Sequence, residues 1–183
     1  MKVPFIALLC ATTLLACTKP AEKPAEPVAE AEVKPAPDIE FSDEKYADIG
    51  KKGMNAMMAG DIDAWSTMFA DNARYIWSSG DSLVGKQAIH DYWKDRRGNM
   101  IDSITFVNDI WLPVKVNKPQ RGPDRIGVWL FNWYMVKVKY KNNQKLQMWV
   151  HNDLHFDAND KVDMLVQYID RAPVNAALAK KKK

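Results

Sequence analysis

The sequence predicts a single α+β domain, in which three N-terminal helices pack on a curved, mostly antiparallel sheet. Between residues 42 and 98, apolar residues mostly recur every three or four positions, which indicates amphipathic helices. From residue 101 to residue 170, they instead alternate with polar residues over long stretches, which indicates β-strands. A sheet that curves over helices encloses a pocket, so this fold class also predicts a binding cavity.

The first helix is predicted from the spacing of apolar and small residues between Tyr46 and Met57. Ser42 is placed to cap its N-terminus, since a serine hydroxyl accepts a hydrogen bond from the first free backbone N–H groups. Gly60 is placed to end it, because glycine readily adopts the positive φ of a C-terminal cap.

Two further helices and one short strand precede the long strands. Asp61 is expected to cap a second, short helix that extends to residue 69. A short strand over residues 73–77 and a turn over 78–81 follow. The third helix begins after Gly85 and ends at Gly98.

The second half of the chain is predicted to be rich in strands. The expected strands cover residues 101–112, 125–140, 146–157 and 161–170, separated by a proline-containing loop over 113–124, a hairpin turn at 142–143 and a turn at 158–160. Pro173 is expected to end the pattern.

Alternation along the last three strands gives each one mostly apolar face, which we assign to the inside of the sheet. The apolar members are Ile126, Val128, Leu130, Val136 and Val138, then Leu146, Met148, Val150, Leu154 and Phe156, and finally Val162, Met164 and Val166. Polar residues interrupt these faces at Asn132, Tyr134, Asn152, Tyr168 and Asp170. An apolar cavity with a few convergent polar groups is typical of a small-molecule site.

Asp170 is the candidate general acid or base, because burial would raise the pKa of its carboxyl group. Tyr168 precedes it on the same predicted face and is the second catalytic candidate. Alternatively, Asp170 is a strand-end carboxylate that pairs with Arg171 or with solvent. Asn132 and Asn152 are candidates for ligand binding, or are core polar residues satisfied by hydrogen bonds; Tyr134 joins the ligand-binding candidates.

His151, Asp153 and His155 share the opposite face of their strand and invite a metal hypothesis. Residues four apart in a strand are roughly 13 Å apart, so one ion is hardly held by all three. A polar face of a half-exposed strand, or an interface, is favoured, and we expect no metal and no cofactor. The sequence also has no phosphate-binding glycine loop, nucleophile elbow or zinc-protease motif.

Large aromatic residues occupy the predicted outer face of the long strand. They are Trp129, Phe131 and Trp133, joined by Trp149 from the neighbouring strand. Aromatic residues on an outer sheet face need cover, which a symmetric homodimer would provide. If the two faces are reversed, these aromatic residues instead line a ligand site.

Residues 1–16 resemble the signal peptide of a bacterial lipoprotein. Lys2 precedes an apolar stretch that is shorter than the roughly 20 residues needed to span a bilayer. Leu14 and Ala16, placed before Cys17, match the lipobox whose cysteine is acylated. The resemblance implies a palmitate-type lipid on Cys17 and a membrane anchor in the cell envelope, facing the periplasm. Thr18 stands where an aspartate often retains such proteins at the inner membrane, so the outer membrane is favoured.

Residues 17–38 are rich in proline, alanine, glutamate and lysine and cannot bury a core, so they predict a disordered tether. A proline-rich partner-binding motif is the alternative interpretation. The folded domain is then expected over 39–172, followed by a lysine-rich tail over 173–183. The net charge of +3 becomes +2 without Lys2, which gives no indication of nucleic-acid binding.

Three stretches, 60–73, 85–93 and 156–170, resemble the nuclear-transport-factor-2-like superfamily in its SnoaL-like, polyketide-cyclase-like branch. The resemblance implies a cone-shaped half-barrel with a deep pocket, frequently a homodimer through its sheet. Tyr75, Trp77 and Trp93 would then rim the pocket mouth and suit planar apolar ligands, unless they only pack in the core.

The superfamily contains isomerases, cyclases, dehydratases, epoxide hydrolases and non-catalytic binding domains, so its fold does not determine an activity. Ketosteroid-isomerase-type members place an acidic general base at the end of the first short strand, where this chain has Trp77. We therefore expect a lipid-anchored protein that binds apolar or aromatic small molecules without catalysis. The alternative is a cofactor-independent isomerase, lyase or hydrolase that uses Asp170.

Overall fold

The computed structural model describes residues 35–118 and 125–179. The predicted signal peptide, Cys17, most of the predicted tether and the terminal lysines lie outside the described residues. The strands are β1 (Ile39–Phe41), β2 (Phe69–Trp77), β3 (Ser82–Val84), β4 (Ile101–Val116), β5 (Gly127–Tyr140), β6 (Lys145–Phe156) and β7 (Val162–Tyr168). The helices are α1 (Lys45–Ala59), α2 (Ile62–Ser66), α3 (Lys86–Asp95) and α4 (Arg171–Ala179), with a π-helical turn over Arg96–Met100. The predicted α+β class is confirmed.

The strands form one open, mixed sheet in the order β1-β4-β5-β6-β7-β2-β3. Every neighbouring pair is antiparallel except β2 and β7, which run parallel. Buried residues of α1, α2 and α3 pack against Leu130 of β5, Leu154 of β6 and Leu165 of β7, and we call this side of the sheet the inner face. None of the helices in the described ranges has the length and apolar character needed to cross a bilayer.

The N-terminus of α1 is capped differently from the sequence prediction. Asp43, rather than Ser42, supplies the side-chain contact, because its Oδ1 accepts a 2.8 Å hydrogen bond from the Lys45 backbone N–H. The Ser42 backbone N–H donates to the Pro113 carbonyl, which ties this residue to β4. At the other end Gly60 adopts φ +82°, so the predicted glycine cap is confirmed.

The segment after α1 changes from helix to strand earlier than predicted. Asp61 caps α2 as expected, with Oδ1 accepting from the Ala64 backbone N–H over 2.9 Å. β2 begins at Phe69 rather than at residue 73, and Phe69 is fully buried. α3 ends at Asp95 and passes into the π-helical turn, which contains Gly98.

Two predictions about prolines are wrong, and one short strand was not predicted. Pro113 lies inside β4, not at the start of a loop. Pro173 lies in the first turn of α4, where its missing N–H is tolerated because that group has no partner inside a helix. β1 is three residues long, too short for alternation to reveal it.

The predicted inner face of β7 is reversed beyond its start. Val162 pairs with Phe156 and Met164 pairs with His155, so one extra residue, Asp163, bulges out of the strand. An extra residue exchanges the two faces of the rest of the strand. Val162 therefore faces inward as predicted, whereas Met164 packs on the opposite, outer face with Trp129.

Candidate functional site

A cavity of about 140 Å³ lies between the helices and the inner face of β4, β5, β6 and β7. Its lining is mostly apolar and includes four methionines, Met54, Met57, Met68 and Met148. Methionine side chains are flexible and fill irregular gaps, so the wall can adapt its shape to an apolar occupant.

A group of polar side chains of the sheet enters this apolar lining, with Asn132 and Tyr134 from β5, Asn152 from β6 and Gln167 from β7. The Asn152 side-chain amide donates to Asn132 Oδ1 over 3.4 Å and to the Tyr134 hydroxyl over 3.3 Å. The Asn132 amide donates in turn to the Ile110 carbonyl over 3.1 Å. These contacts fix the orientation of the polar groups inside the cavity.

The tyrosines of the cavity are held in their neutral form. Burial raises the pKa of Tyr134 to about 12, against the opposing effect of hydrogen bonds from Asn152 and Gln167. Burial likewise raises the pKa of Tyr75 well above its ordinary value. Both hydroxyl groups are therefore hydrogen-bond donors and acceptors at neutral pH, not bases.

Two polar atoms of the cavity lining are buried without a hydrogen-bond partner among the described residues, Asn152 Oδ1 and Trp93 Nε1. Leaving a buried donor or acceptor unpaired costs about 1–3 kcal/mol. A ligand that supplies a donor to the first or an acceptor to the second would recover part of that cost.

Trp93 belongs to an aromatic corner of the cavity. Its ring centroid lies 6.0 Å from that of Trp65 and 6.1 Å from that of Tyr75. Trp77 is buried next to this corner, with its ring 5.0 Å from Tyr75 and 5.2 Å from Tyr92, but it does not line the cavity. Of the six predicted ligand-binding residues, Trp77 alone is thus absent from the lining.

The two residues predicted as catalytic lie outside the cavity, and their placement on the inner face is wrong. Because of the bulge at Asp163, Tyr168 faces outward, is 46% exposed and stacks on His151 with 5.4 Å between ring centroids. Asp170 is exposed and caps α4, with Oδ1 accepting from the Ala172 backbone N–H over 2.9 Å. Arg171 pairs with Asp81 over 2.6 Å, not with Asp170.

Gln167 and Arg96 are among the lining residues that the sequence did not predict for the cavity. Gln167 lies on the inner face, opposite Asn152. Alternation had instead predicted that its neighbours, Val166 and Tyr168, face inward. Arg96 is the only charged side chain among the described residues that line the cavity. Its position three residues after Trp93 could have identified it, because residues at that spacing share a helix face.

The outer face carries a row of stacked rings. The Trp133 ring stacks on His151 at 4.4 Å, and His151 stacks on Tyr168. Trp149 is 52% exposed and Phe131 is half-buried, whereas Trp129 is buried and donates from Nε1 to the Arg125 carbonyl over 2.9 Å. This face therefore retains exposed aromatic surface, concentrated on β5 and β6.

The histidines of β6 make pairwise contacts with carboxylates. His151 Nε2 lies 2.6 Å from Asp153 Oδ1, and His155 Nδ1 lies 2.6 Å from Asp163 Oδ1. Within the described part of the chain, no group of three or more histidine, cysteine or acidic side chains is placed to hold a metal ion.

Comparison with known proteins identifies the fold. A proposed polyketide cyclase from Xanthomonas campestris superposes with a TM-score of 0.59 at 11% identity, covering 74% of this chain and 98% of that one. An NTF2-like protein of unknown function from Burkholderia pseudomallei gives 0.58 at 10% identity over 74% and 98% of the two chains. An LEH-like epoxide hydrolase from M. tuberculosis gives 0.53 at 15% identity over 73% and 89%.

The chain therefore has the nuclear-transport-factor-2-like fold, as the sequence resemblance implied. No protein-family model matches the sequence, and no curated protein matches it. Since the structural neighbours share so little sequence, their likeness concerns the fold alone, and the function must be argued from the cavity of this chain.

Proposed function

We propose that this protein is a lipid-anchored envelope protein whose cavity binds an apolar or aromatic small molecule without catalysis. The observation that carries the proposal is the chemistry of the cavity lining. Its polar groups are amides, neutral tyrosines, an indole N–H and one guanidinium, set in an apolar wall.

This set of groups favours binding over acid–base catalysis. No carboxylate and no imidazole lies among the described residues that line the cavity. Side-chain amides do not ionise near neutral pH, and the raised pKa values of Tyr75 and Tyr134 keep their hydroxyl groups protonated. The groups of the lining can therefore orient a ligand through hydrogen bonds, whereas a proton shuttle would need a base from elsewhere.

The test is a thermal-shift screen of the full chain against steroids, aromatic polyketide-like compounds and lipids. A ligand present at a hundredfold excess over its Kd stabilises the folded state by about 2.7 kcal/mol. We expect at least one class of apolar ring compound to raise the Tm, and Asn152→Leu to reduce that shift. Asn159→Leu, at an exposed turn, is the matched control and should respond as the parent does.

Two results would count against this proposal. If no compound raises the Tm of the parent, the binding function is wrong. If the parent converts a bound compound to product, binding without catalysis is wrong, and the isomerase, lyase or hydrolase alternative replaces it.

The membrane anchor is proposed from the lipobox resemblance at Cys17, and the outer membrane from Thr18. Expression of the full chain in a bacterium should give a membrane-associated protein whose mass includes the acyl groups on Cys17. The Cys17→Ser variant should lose that added mass and leave the membrane fraction. A parent without acyl mass would contradict the anchor and leave the binding proposal intact.

A homodimer through the outer face is the proposed assembly. The exposed aromatic surface around Trp149 and the stacked rings of Trp133, His151 and Tyr168 support it, because a second copy would cover apolar area that is otherwise in water. This face is opposite the inner face that lines the cavity, so dimerisation and ligand binding are separate properties.

A further inference from the structure

We propose that the ligand is an apolar ring compound bearing a carboxylate, with its ring in the cavity and its carboxylate bound by Arg96 and Trp93. This inference rests on the proposed binding function and specifies the chemical class of the ligand. The cavity lining brings a cation and an unpaired donor together at one end of α3, beside a wall that is otherwise almost entirely apolar.

Among the described residues, no carboxylate lies within 4.0 Å of the Arg96 guanidinium to form an ion pair with it. Arg125 and Arg171 form ion pairs with Asp163 at 3.1 Å and with Asp81 at 2.6 Å. The Arg96 guanidinium instead lies over the Tyr92 ring, 4.5 Å from its centroid. A half-buried arginine beside an apolar cavity attracts an anion more strongly than one in water, because the local dielectric constant is lower.

Trp93 adds a second donor near the same end of the helix. Its buried Nε1 finds no acceptor among the described residues, although the residue lines the cavity. Trp93 and Arg96 are three positions apart, a spacing at which helical side chains are neighbours. The π-helical turn begins at Arg96, and such turns occur frequently at functional sites.

The chemistry of the two groups defines the ligand's polar end. An indole N–H and a guanidinium only donate hydrogen bonds, and an ionised carboxylate only accepts them. Arginine also holds a carboxylate through two parallel hydrogen bonds, which adds geometric specificity. Because the described lining residues include no acidic side chain, none of them would repel this anion.

The rest of the cavity defines the ligand's apolar end. Its volume of about 140 Å³ is close to the volume of about 150 Å³ of an engineered apolar cavity that binds benzene. Aromatic walls at Trp65 and Tyr75 suit a planar ring, and the methionines adjust to its outline. A body of one ring therefore fits, with the acid group directed to the end of α3.

The test compares matched acids and amides, because they share a shape and differ in charge. Binding of benzoate and benzamide, and of 4-ethylbenzoate and 4-ethylbenzamide, is measured by titration calorimetry on the full chain. We expect each acid to bind the parent at least about tenfold more tightly than its amide. Arg96→Gln should remove this preference and leave amide binding unchanged, while Arg96→Lys should keep part of it.

Arg74→Gln is the control for net charge, because Arg74 is exposed on β2 and does not line the cavity. This variant should retain the acid preference. If the parent binds acids and amides equally, or if Arg96→Gln keeps the preference, the carboxylate assignment is wrong and the binding function stands. If neither acids nor amides bind and the broader screen also finds no ligand, the binding function itself fails.

Discussion

Asn132 and Asn152 lie directly opposite each other on β5 and β6, and the side-chain amide of Asn152 donates to the side-chain oxygen of Asn132 within the cavity. Both residues are buried. Replacing Asn152 by leucine leaves Asn132 Oδ1 without its donor, at a cost of about 1–3 kcal/mol in the free energy of unfolding. Replacing Asn132 by leucine leaves the Asn152 amide with the Tyr134 hydroxyl as its remaining acceptor.

The double variant Asn132→Leu/Asn152→Leu should lose less free energy of unfolding than the two single variants lose together. The coupling energy should lie between about 0.5 and 3 kcal/mol, because removing both partners leaves no orphaned group from this pair. Urea unfolding of the four proteins measures it. Strictly additive effects would mean that the two amides do not interact.

Gly50 allows α1 to approach the sheet closely. A Cβ at this position would overlap the Trp111 ring and lie 2.9 Å from Leu130. We expect Gly50→Ala to destabilise the protein by about 1–3 kcal/mol in spite of the better helix propensity of alanine. Gly98→Ala is the matched control, because a Cβ there meets no atom within 4 Å. Equal stability of both variants in urea unfolding would contradict the close approach.

The His90 side chain of α3 contacts Asp63 of α2, and its titration makes the free energy of unfolding depend on pH. The Asp91 and Asp63 carboxylates, 2.9 and 2.7 Å from its ring nitrogens, raise the pKa of His90 above its ordinary value of 6.5. Hydrogen bonds from Lys94 and His90 lower the pKa of Asp63, so that carboxylate remains charged near neutral pH.

A group whose pKa is raised by folding stabilises the folded state below its unfolded pKa, and this contribution is lost as the pH rises through the folded pKa. The free energy of unfolding of the parent should therefore fall relative to that of His90→Gln as the pH rises above the ordinary histidine pKa of 6.5. Denaturant unfolding at several pH values checks this. Parallel pH profiles for the two proteins would show that His90 is not responsible.

The proposed dimer predicts that the full chain has twice its monomer mass in light scattering. Trp149→Glu places a charge in the exposed aromatic surface of the outer face and should give a monomer, because an unpaired charge buried in an interface is costly. Val84, on the edge strand β3, is also an exposed apolar residue, but it lies outside β5 and β6. The Val84→Glu variant should therefore remain a dimer. A monomeric parent at high micromolar concentration would refute the assembly.

Much of the cavity could be predicted from alternation alone, where the strands are regular. β5 and β6 pair without interruption, so the polar positions Asn132, Tyr134 and Asn152 fall on the inner face as their period of two predicts. β7 has the bulge at Asp163, which exchanges its faces after one residue. Nothing in the local sequence marks that bulge, so Asp170 was assigned to the wrong side.

The remaining differences arise where tertiary structure overrides a local signal. Pro173 looks like a terminator, yet it occupies the first turn of α4, where proline is tolerated. Arginine is usually exposed, so the spacing of Arg96 from Trp93 is the only sequence signal that indicates a place in the cavity lining. The packing of α3 and its π-helical turn brings this residue to the cavity.

Blocking the cavity tests the central claim most directly. Met54 lines the cavity, whereas Met58, one turn further along α1, does not. Titration calorimetry is performed on the full chain, on Met54→Trp and on Met58→Trp, with the compound that gives the largest thermal shift. We predict that the parent and Met58→Trp bind one ligand per chain and that folded Met54→Trp binds none. Equal binding by all three proteins would contradict the account, because the ligand would then lie outside the cavity.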